Sequence, residues 1–179
     1  MKVMKQNKFI ENSPEDIKSV VDGSIDLFYD KSDLNHVNVN PNNWSLYPDI
    51  KNALVNIEDN KNLIIASPKF KVGNTYQYSE KIWIEIIDAT LLRLEEMNES
   101  DAIRTGITKT EKGYKHYCPN KLFPAKILSK QEPGFPYMQD ARSSFFTKWI
   151  DKHGLLDVSI NPWIWRYEFK ININRTFPN

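Results

Sequence analysis

The clearest pattern in the chain is an alternation of aromatic and mostly charged positions near its C-terminal end. Trp163, Trp165, Tyr167 and Phe169 occupy every second position of this segment. Because successive side chains of a strand point to opposite faces, the alternation predicts a β-strand over residues 162–173 with one aromatic face. We interpret that face as part of a core, since aromatic side chains dominate core burial. A stacking platform for nucleic-acid bases is the alternative interpretation.

Other strands are predicted from β-branched and alternating positions. Residues 81–94 form the strongest of these segments, with Ile84, Ile86 and Asp88 on one parity. Shorter strands are predicted at residues 27–29 and 63–66, and another follows a turn at Gly73. The strand segments lie between helices in no regular βαβ order.

Helices are predicted from cap residues and from apolar positions at helical spacing. Ser13 and Asn98 are N-cap residues, and Gly23, Gly106 and Gly154 are the corresponding stop signals. The predicted helices cover residues 14–22, residues 49–57, the short segment between Asn98 and Gly106, and residues 137–153. The order of elements predicts an α+β fold, a small mixed β-barrel flanked by helices.

The length of 179 residues favours one domain. We expect a divergent N-terminal part at residues 1–63, with the first helix packed on the barrel. The barrel core is expected at residues 64–179, with a loop insert at residues 108–136 that contains most of the prolines of that half. A short hairpin within the insert is the alternative to a continuous loop. Long loops of this kind are usually functional or disordered.

Charge is distributed unevenly although the net charge is only +1. Residues 11–33 contain seven acidic residues and two lysines, whereas residues 108–130 contain six lysines and one glutamate. The basic segment also contains Tyr114, His116 and Tyr117, and lysines interleaved with aromatic rings suit a phosphate backbone and stacked bases. A solvated lysine-rich loop is the alternative for the same pattern.

Composition limits the compartment and the cofactors. The single cysteine, Cys118, cannot form an internal disulfide, which favours a reducing compartment and a cytoplasmic location. No apolar run approaches the roughly 20 residues of a membrane helix, so no membrane partner is expected. The three histidines have no metal-ligand spacing and the chain has no glycine-rich phosphate loop, so neither a metal nor a cofactor is expected. We expect a monomer.

Three stretches resemble the ASCH domain of the PUA-like superfamily, in the versions common in bacteriophage genomes. These are residues 94–107, 141–150 and 161–169, and the resemblance extends over residues 64–171. The most specific piece is Asn-Pro-Trp-x-Trp-x-x-Glu-Phe, which begins at Asn161. The resemblance implies a PUA-like barrel with a cleft that accepts nucleic acid or a nucleoside. For a phage-encoded chain the expected location is the host cytoplasm.

Some ASCH proteins resemble amidohydrolases that act on acetylated cytidine, and ribonuclease activity is associated with others. The amidohydrolase-type members have a Gly-x-Lys-x-x-Thr motif and a glutamate in the helix after the long strand. Here Ile25 and Phe28 stand at the lysine and threonine positions, and Thr105 lies near the glutamate position. Nucleophile activation and proton transfer then lack their groups, and Glu99 or Asp101 remain as substitutes.

We therefore expect a non-catalytic PUA-like domain that binds RNA, or single-stranded or modified nucleic acid. The residues expected to contact the ligand are Lys69, Lys71, Lys112, Tyr114, Lys115, His116, Lys121, Arg142, Trp163 and Arg166. Arginine suits bidentate phosphate or guanine contacts, although structural ion pairs are the alternative for Arg142 and Arg166.

Two other functions stay open. The first is a nuclease, with His116 as general acid and Lys115 on a phosphate, or an amidohydrolase with rearranged catalytic groups. A surface histidine is the simpler interpretation of His116. The second is an interaction module that binds a host or virion protein through the acidic N-terminal segment.

Overall fold

A computed structural model describes residues 19–58, 62–78, 82–122 and 136–171. The described chain is α+β, as the order of sequence patterns predicted, and its strands form antiparallel sheets of four, three and three strands. The strands are β1 (Leu27–Asp30), β2 (Trp44–Leu46), β3 (Ala53–Asn56), β4 (Leu63–Ile65), β5 (Thr75–Gln77), β6 (Trp83–Arg93), β7 (Lys109–Thr110), β8 (Gly113–Lys115), β9 (Tyr137–Met138) and β10 (Trp163–Ile171).

Short α-helices lie between these strands in the described ranges. They are α1 (Asn35–Asn38), α2 (Glu99–Arg104), α3 (Pro119–Leu122), α4 (Ala141–His153) and α5 (Leu155–Ile160). Single turns of 3-10 helix occur at Ser32–Leu34, Pro41–Asn43 and Leu94–Glu96. Residues 19–21 are also helical, and Gly23 follows them with a positive φ of 81°, which glycine adopts without strain. Residues 14–18 of the predicted first helix lie outside the described residues.

The chain divides into two compact units. The first contains the described residues up to Leu92 and those from Ile164 onward, and the second is Arg93–Trp163. The predicted partition at residues 63 and 64 is a different division and stays a prediction. No described helix has both the length and the apolar character that crossing a bilayer requires.

The four-stranded sheet has the order β1-β10-β6-β5 and contains the predicted aromatic strand. Trp163, Trp165, Tyr167 and Phe169 are all at most 3% exposed, so the interpretation of their face as core is confirmed. Phe28 on β1 lies opposite Tyr167, and the two rings stack with centroids 4.8 Å apart. Such ring pairs stabilise a core beyond the area they bury.

Strand β6 changes the face that it buries along its length. Ile84 and Ile86 are buried, and the next buried positions are Ala89 and Leu91, which have the opposite parity. A strict period of two therefore does not describe burial along the whole strand. Asp88 lies beside charged partners, Lys51 and Arg166.

The predicted helix at residues 49–57 is wrong. Asn52 adopts a left-handed conformation with φ of 60°, which closes a turn, and Ala53–Asn56 then forms the central strand β3. This strand pairs with both β2 and β4, and Leu54 is fully buried. Cross-strand hydrogen bonds on two sides outweigh the helical spacing of a few apolar residues.

The second unit is built on α4 and the three-stranded sheet β7-β8-β9. The segment predicted as a long loop contains the β7-β8 hairpin and the short helix α3, and β9 begins directly after it. Residues 123–135 lie outside the described residues. Helix α4 begins at Ala141 rather than at residue 137, because Asp140 caps it and the preceding Tyr137–Met138 pairs with β8. Gly154 ends the helix, as predicted, and α5 follows it directly.

Candidate nucleic-acid interface

The hairpin of the second unit presents lysines beside a tyrosine. Lys109 on β7 lies opposite Tyr114 on β8, and its ammonium nitrogen is 5.7 Å from the centroid of that ring. Gly113 permits this geometry because its φ is 133° and a Cβ atom there would lie 2.6 Å from the carbonyl oxygen of Met138. The hairpin can therefore pack on β9 only with glycine at this position.

Tyr117 follows β8 and is held at both ends. Its backbone N–H donates to the hydroxyl of Thr147 on α4 at 3.0 Å, and its phenol oxygen accepts from the backbone N–H of Thr108 at 3.1 Å. The ring is half-buried between these anchors. Its position is therefore fixed by both the helix and the hairpin.

Two lysines converge on the Tyr117 ring. The ammonium nitrogen of Lys115 is 5.0 Å from the ring centroid, and that of Lys148 on α4 is 5.5 Å from it. An ammonium group near an aromatic face gains about 0.5–1 kcal/mol at an exposed site. Lys148 also donates to the carbonyl oxygen of Thr105 at 3.4 Å. We name Lys115, Tyr117 and Lys148 the lysine–tyrosine seat.

The two positive charges of the seat are not neutralised by any acidic side chain that the structure describes. In the described part of the chain, no carboxylate forms an ion pair with Lys115 or Lys148. Lys121 differs, since its ammonium nitrogen lies 2.9 Å from the carboxylate of Asp151. A surface lysine that already has such a partner contributes less positive potential. The seat, and not Lys121, is the stronger site for an anion.

The other lysines expected at the interface are exposed. Lys112 lies in the hairpin turn of the second unit. Lys69 and Lys71 belong to the first unit, where the ammonium group of Lys69 lies 5.2 Å from the Phe70 ring centroid. Their assignment to a ligand surface stays a prediction.

His116 and Trp163 are buried and are removed from the candidate interface. His116 is 7% exposed, its Nδ1 atom accepts a hydrogen bond from the backbone N–H of Cys118, and burial lowers its pKa. Trp163 is 3% exposed, and the guanidinium carbon of Arg93 lies 5.4 Å from its ring centroid. Neither ring offers a free face to a base, because core packing occupies it.

Arg142 has a structural position. Its Nε atom donates to the carbonyl oxygen of Met97 at 2.7 Å, and an Nη atom donates to the carbonyl oxygen of Glu95 at 2.6 Å. These bonds hold the start of α4 against the 3-10 turn at Leu94–Glu96. They also occupy guanidinium donors that a bidentate contact with a phosphate or a guanine would need.

Arg166 forms a structural ion pair, which was the alternative to a contact with the ligand. Its guanidinium group lies 2.8 Å from the carboxylate of Glu168 and 3.8 Å from that of Asp88. Lys51 also pairs with Asp88, at 3.4 Å. The charged side of the four-stranded sheet is therefore an ion-pair network within the first unit.

The groups considered for hydrolysis are engaged in structure. Both carboxylate oxygens of Glu99 accept backbone hydrogen bonds at 2.8 Å from the first two residues of α4, Ala141 and Arg142. Thr105 is buried and its hydroxyl donates to the carbonyl oxygen of Ala102. Asp101 is 8% exposed and lies in the first turn of α2. A capped or buried group of this kind is poorly placed to exchange protons with a substrate.

Cys118 is buried, and burial raises the pKa of its thiol, with Asp151 adding to the effect. It is therefore a weak nucleophile. Among the described residues, no three histidine, cysteine or acidic side chains are grouped closely enough to hold a metal ion.

Some carboxylates of the acidic N-terminal segment accept hydrogen bonds within turns. The carboxylate of Asp22 accepts hydrogen bonds from Ser24, and that of Asp30 accepts them from Ser32. Residues 11–18 of this segment lie outside the described residues. A contact with a host or virion protein through it stays a prediction.

Tyr117 and Lys148 were missing from the residues expected at the interface. The sequence indicated Tyr117 as a candidate, since it lies within the basic segment. No sequence pattern indicated Lys148, because it lies on a helix remote from that segment. Only the packing of α4 against the hairpin brings it to the ring.

No protein-family model, curated protein or solved structure matches the chain. The functional assignment therefore depends on the geometry of the seat and on the sequence stretches described above.

Proposed function

We propose that this chain is a PUA-like domain of the ASCH type that binds RNA or single-stranded nucleic acid, and that it does so without catalysing a reaction. The observation that carries the proposal is the convergence of Lys115 and Lys148 on the Tyr117 ring without a carboxylate partner in the described chain. Phosphate groups are the anions that such paired lysines attract along a nucleic-acid backbone.

The contacts among the ASCH-like stretches support the fold part of the proposal. The backbone N–H of Leu94 donates to the carbonyl oxygen of Pro162 at 3.0 Å, and that of Glu95 donates to the side chain of Asn161 at 2.9 Å. Arg142 bonds to the same turn through the carbonyl oxygen of Glu95. The stretches at residues 94–107, 141–150 and 161–169 thus hydrogen-bond to one another, which is what a shared domain motif requires. Closure of the sheets into a small barrel is part of this proposal.

The hairpin favours a single strand over a duplex. Tyr114 and Lys115 are adjacent on β8, so their side chains point to opposite faces of the hairpin sheet. Tyr114 is half-buried beside Lys109 and offers part of its ring for base stacking, while the seat receives phosphate on the other face. A flexible single strand can pass around the hairpin edge between them. A duplex, with its persistence length of about 150 base pairs, cannot bend so sharply.

The absence of catalysis is proposed from the positions of the polar groups that a reaction would need. Glu99 caps α4, and His116 and Cys118 are buried with pKa shifts that favour their neutral forms. A neutral, enclosed thiol or imidazole neither attacks a phosphate nor protonates a leaving group efficiently. We place the binding activity in the cytoplasm, because a lone cysteine suits a reducing compartment.

Fluorescence anisotropy with labelled single-stranded RNA, single-stranded DNA and a duplex tests the proposal. With Lys109, Lys115 and Lys148 on phosphates, the logarithm of the association constant should fall with the logarithm of salt with a slope of about −2. The duplex should bind more weakly than either single strand. A salt-independent affinity, or a preference for the duplex, would contradict the proposal.

A further inference from the structure

We propose that the lysine–tyrosine seat receives the terminal phosphate monoester of a nucleic-acid strand in preference to an internal phosphodiester. This inference rests on the proposed function and names the part of the nucleic acid that the seat takes. It follows from three properties of the seat: its charge, the separation of its two ammonium groups, and the occupation of its ring.

The charge of the seat matches a monoester. Lys115 and Lys148 supply two positive charges, and no carboxylate in the described chain pairs with either. An internal diester carries one negative charge, whereas a phosphate monoester carries about −1.5 to −2 at neutral pH. A diester in the seat leaves one ammonium group without a counter-charge. A monoester neutralises both.

Both ammonium charges act on the same small region around the Tyr117 ring. They lie 5.0 and 5.5 Å from the same ring centroid, so they cannot be farther apart than the sum of those distances. That limit is close to the Debye length, about 8–10 Å near physiological salt, so each charge adds to the potential at the other. An ammonium group has three donors, and Lys148 uses one of them on the carbonyl oxygen of Thr105. The remaining donors suit the three free oxygens of a monoester.

The ring of the seat is occupied. Two ammonium groups lie near its face, and its hydroxyl oxygen already accepts from the backbone N–H of Thr108. A base that stacked on Tyr117 would have to displace a lysine. The seat is therefore built for a phosphate, and the bases of the strand lie elsewhere. Tyr114, half-buried beside Lys109, offers part of its ring for stacking.

The test compares one short strand with three different ends: a 5′-phosphate, a 3′-phosphate and hydroxyl groups only. Binding of each to the wild-type protein and to Lys115→Met and Lys148→Met is measured by fluorescence anisotropy. Lys121→Met is the matched control, because it also removes one exposed ammonium group, but one that Asp151 already neutralises. Methionine keeps most of the aliphatic length of lysine, and Lys115 is exposed, so folding is preserved in at least that variant.

We expect one of the phosphorylated ends to bind about tenfold more tightly than the hydroxyl end, since its monoester accepts charge-assisted hydrogen bonds that a hydroxyl group cannot. The preference should disappear in both seat variants and persist in Lys121→Met. Equal binding of all three ends, with a salt dependence that still requires Lys115 and Lys148, would overturn the inference and leave the proposed function standing. Absence of binding by every strand would overturn both.

Inorganic phosphate and a nucleoside monophosphate serve as competitors of the preferred strand. We expect the nucleoside monophosphate to compete at lower concentration, because it retains a base and sugar beside the monoester. Equal potency of the two competitors, at concentrations that displace the strand fully, would mean that the seat takes free phosphate. That result would overturn the assignment to a strand end.

Discussion

Lys115 and Lys148 come from a strand and a helix that are remote in sequence, yet their ammonium groups lie within 5.5 Å of one ring centroid, that of Tyr117. Like charges placed together repel each other, and in this structure no carboxylate of the described residues offsets the repulsion. A fold selected for stability alone gains little from such a pair. An anion bound at the seat is attracted by both charges and offsets their repulsion.

The first prediction concerns stability. Replacing Lys115 by Met removes one of two like charges and keeps the aliphatic stem beside the ring. The free energy of unfolding should change by less than about 0.5 kcal/mol, or rise slightly, as for most surface positions. Chemical denaturation measures it. A loss of several times that amount would mean that Lys115 stabilises the fold, and the interpretation of the pair as a ligand seat would lose its main support.

For Arg142, in contrast, we expect a substitution to lower the free energy of unfolding. Lys cannot reproduce the two guanidinium donors that reach Glu95 and Met97, so Arg142→Lys should lose about 1–3 kcal/mol of stability. The salt dependence of nucleic-acid binding should not change, because the arginine is engaged in structure. The two readouts are urea denaturation and anisotropy. Unchanged stability with a flatter salt slope would instead restore Arg142 to the phosphate contacts.

Gly113 is required for the hairpin to pack on β9. Gly113→Ala places a Cβ atom 2.6 Å from the carbonyl oxygen of Met138 at a φ of 133°, so it should cost more than about 1 kcal/mol. Gly73→Ala is the matched control, since Gly73 also has a positive φ, 79°, but a Cβ atom added there would have no neighbouring atom within 4 Å. Equal losses in urea denaturation for the two variants would show that backbone conformation, and not the close approach, determines the cost.

Buried His116 predicts a loss of stability in mild acid. Burial lowers its pKa below that of the unfolded chain, about 6.5, so below that pH the unfolded state binds a proton that the folded state does not. Stability should fall as pH decreases through about 6.5, and the loss from this group is complete below its folded pKa. His116→Asn should reduce the slope. Denaturation midpoints between about pH 7 and pH 5 measure the slopes, and identical slopes for the variant and the wild-type protein would contradict the assignment.

The elements with strong local signals could be predicted from the sequence. The alternation of aromatic residues at Trp163–Phe169 predicted both a strand and its buried face, and Asn98 and Gly154 marked helix boundaries where the structure has them. These signals are local, since a side-chain period or a cap depends on neighbouring residues only.

Elements decided by distant contacts were missed. Ala53–Asn56 has helical spacing but becomes a strand because two other strands pair with it. The buried positions of β6 change parity after Ile86, which a strict period-two pattern does not contain. His116 lies within a basic segment that suggests exposure, yet packing buries it.

The candidate site was predicted only in part, for the same reason. The interleaved basic and aromatic residues pointed to the lysine-rich segment with Tyr114 and Lys115. The seat itself depends on Lys148, which joins Tyr117 through the tertiary contact between α4 and the segment after β8. Lys121 also differs from the lysines of the seat because it pairs with Asp151, and no sequence pattern predicted that partner.

The most direct test of the central claim is single-strand binding by Lys115→Met/Lys148→Met against a control of equal charge. Lys121→Met/Lys170→Met is that control, because both of its lysines are exposed and already paired, with Asp151 and Glu85. Between about 50 and 200 mM salt, the seat variant should lose about 1.4 from the magnitude of the salt slope, and the control should lose little. Wild-type affinity and slope in the seat variant, or equal losses in both double variants, would contradict the claim that Lys115 and Lys148 form the phosphate site.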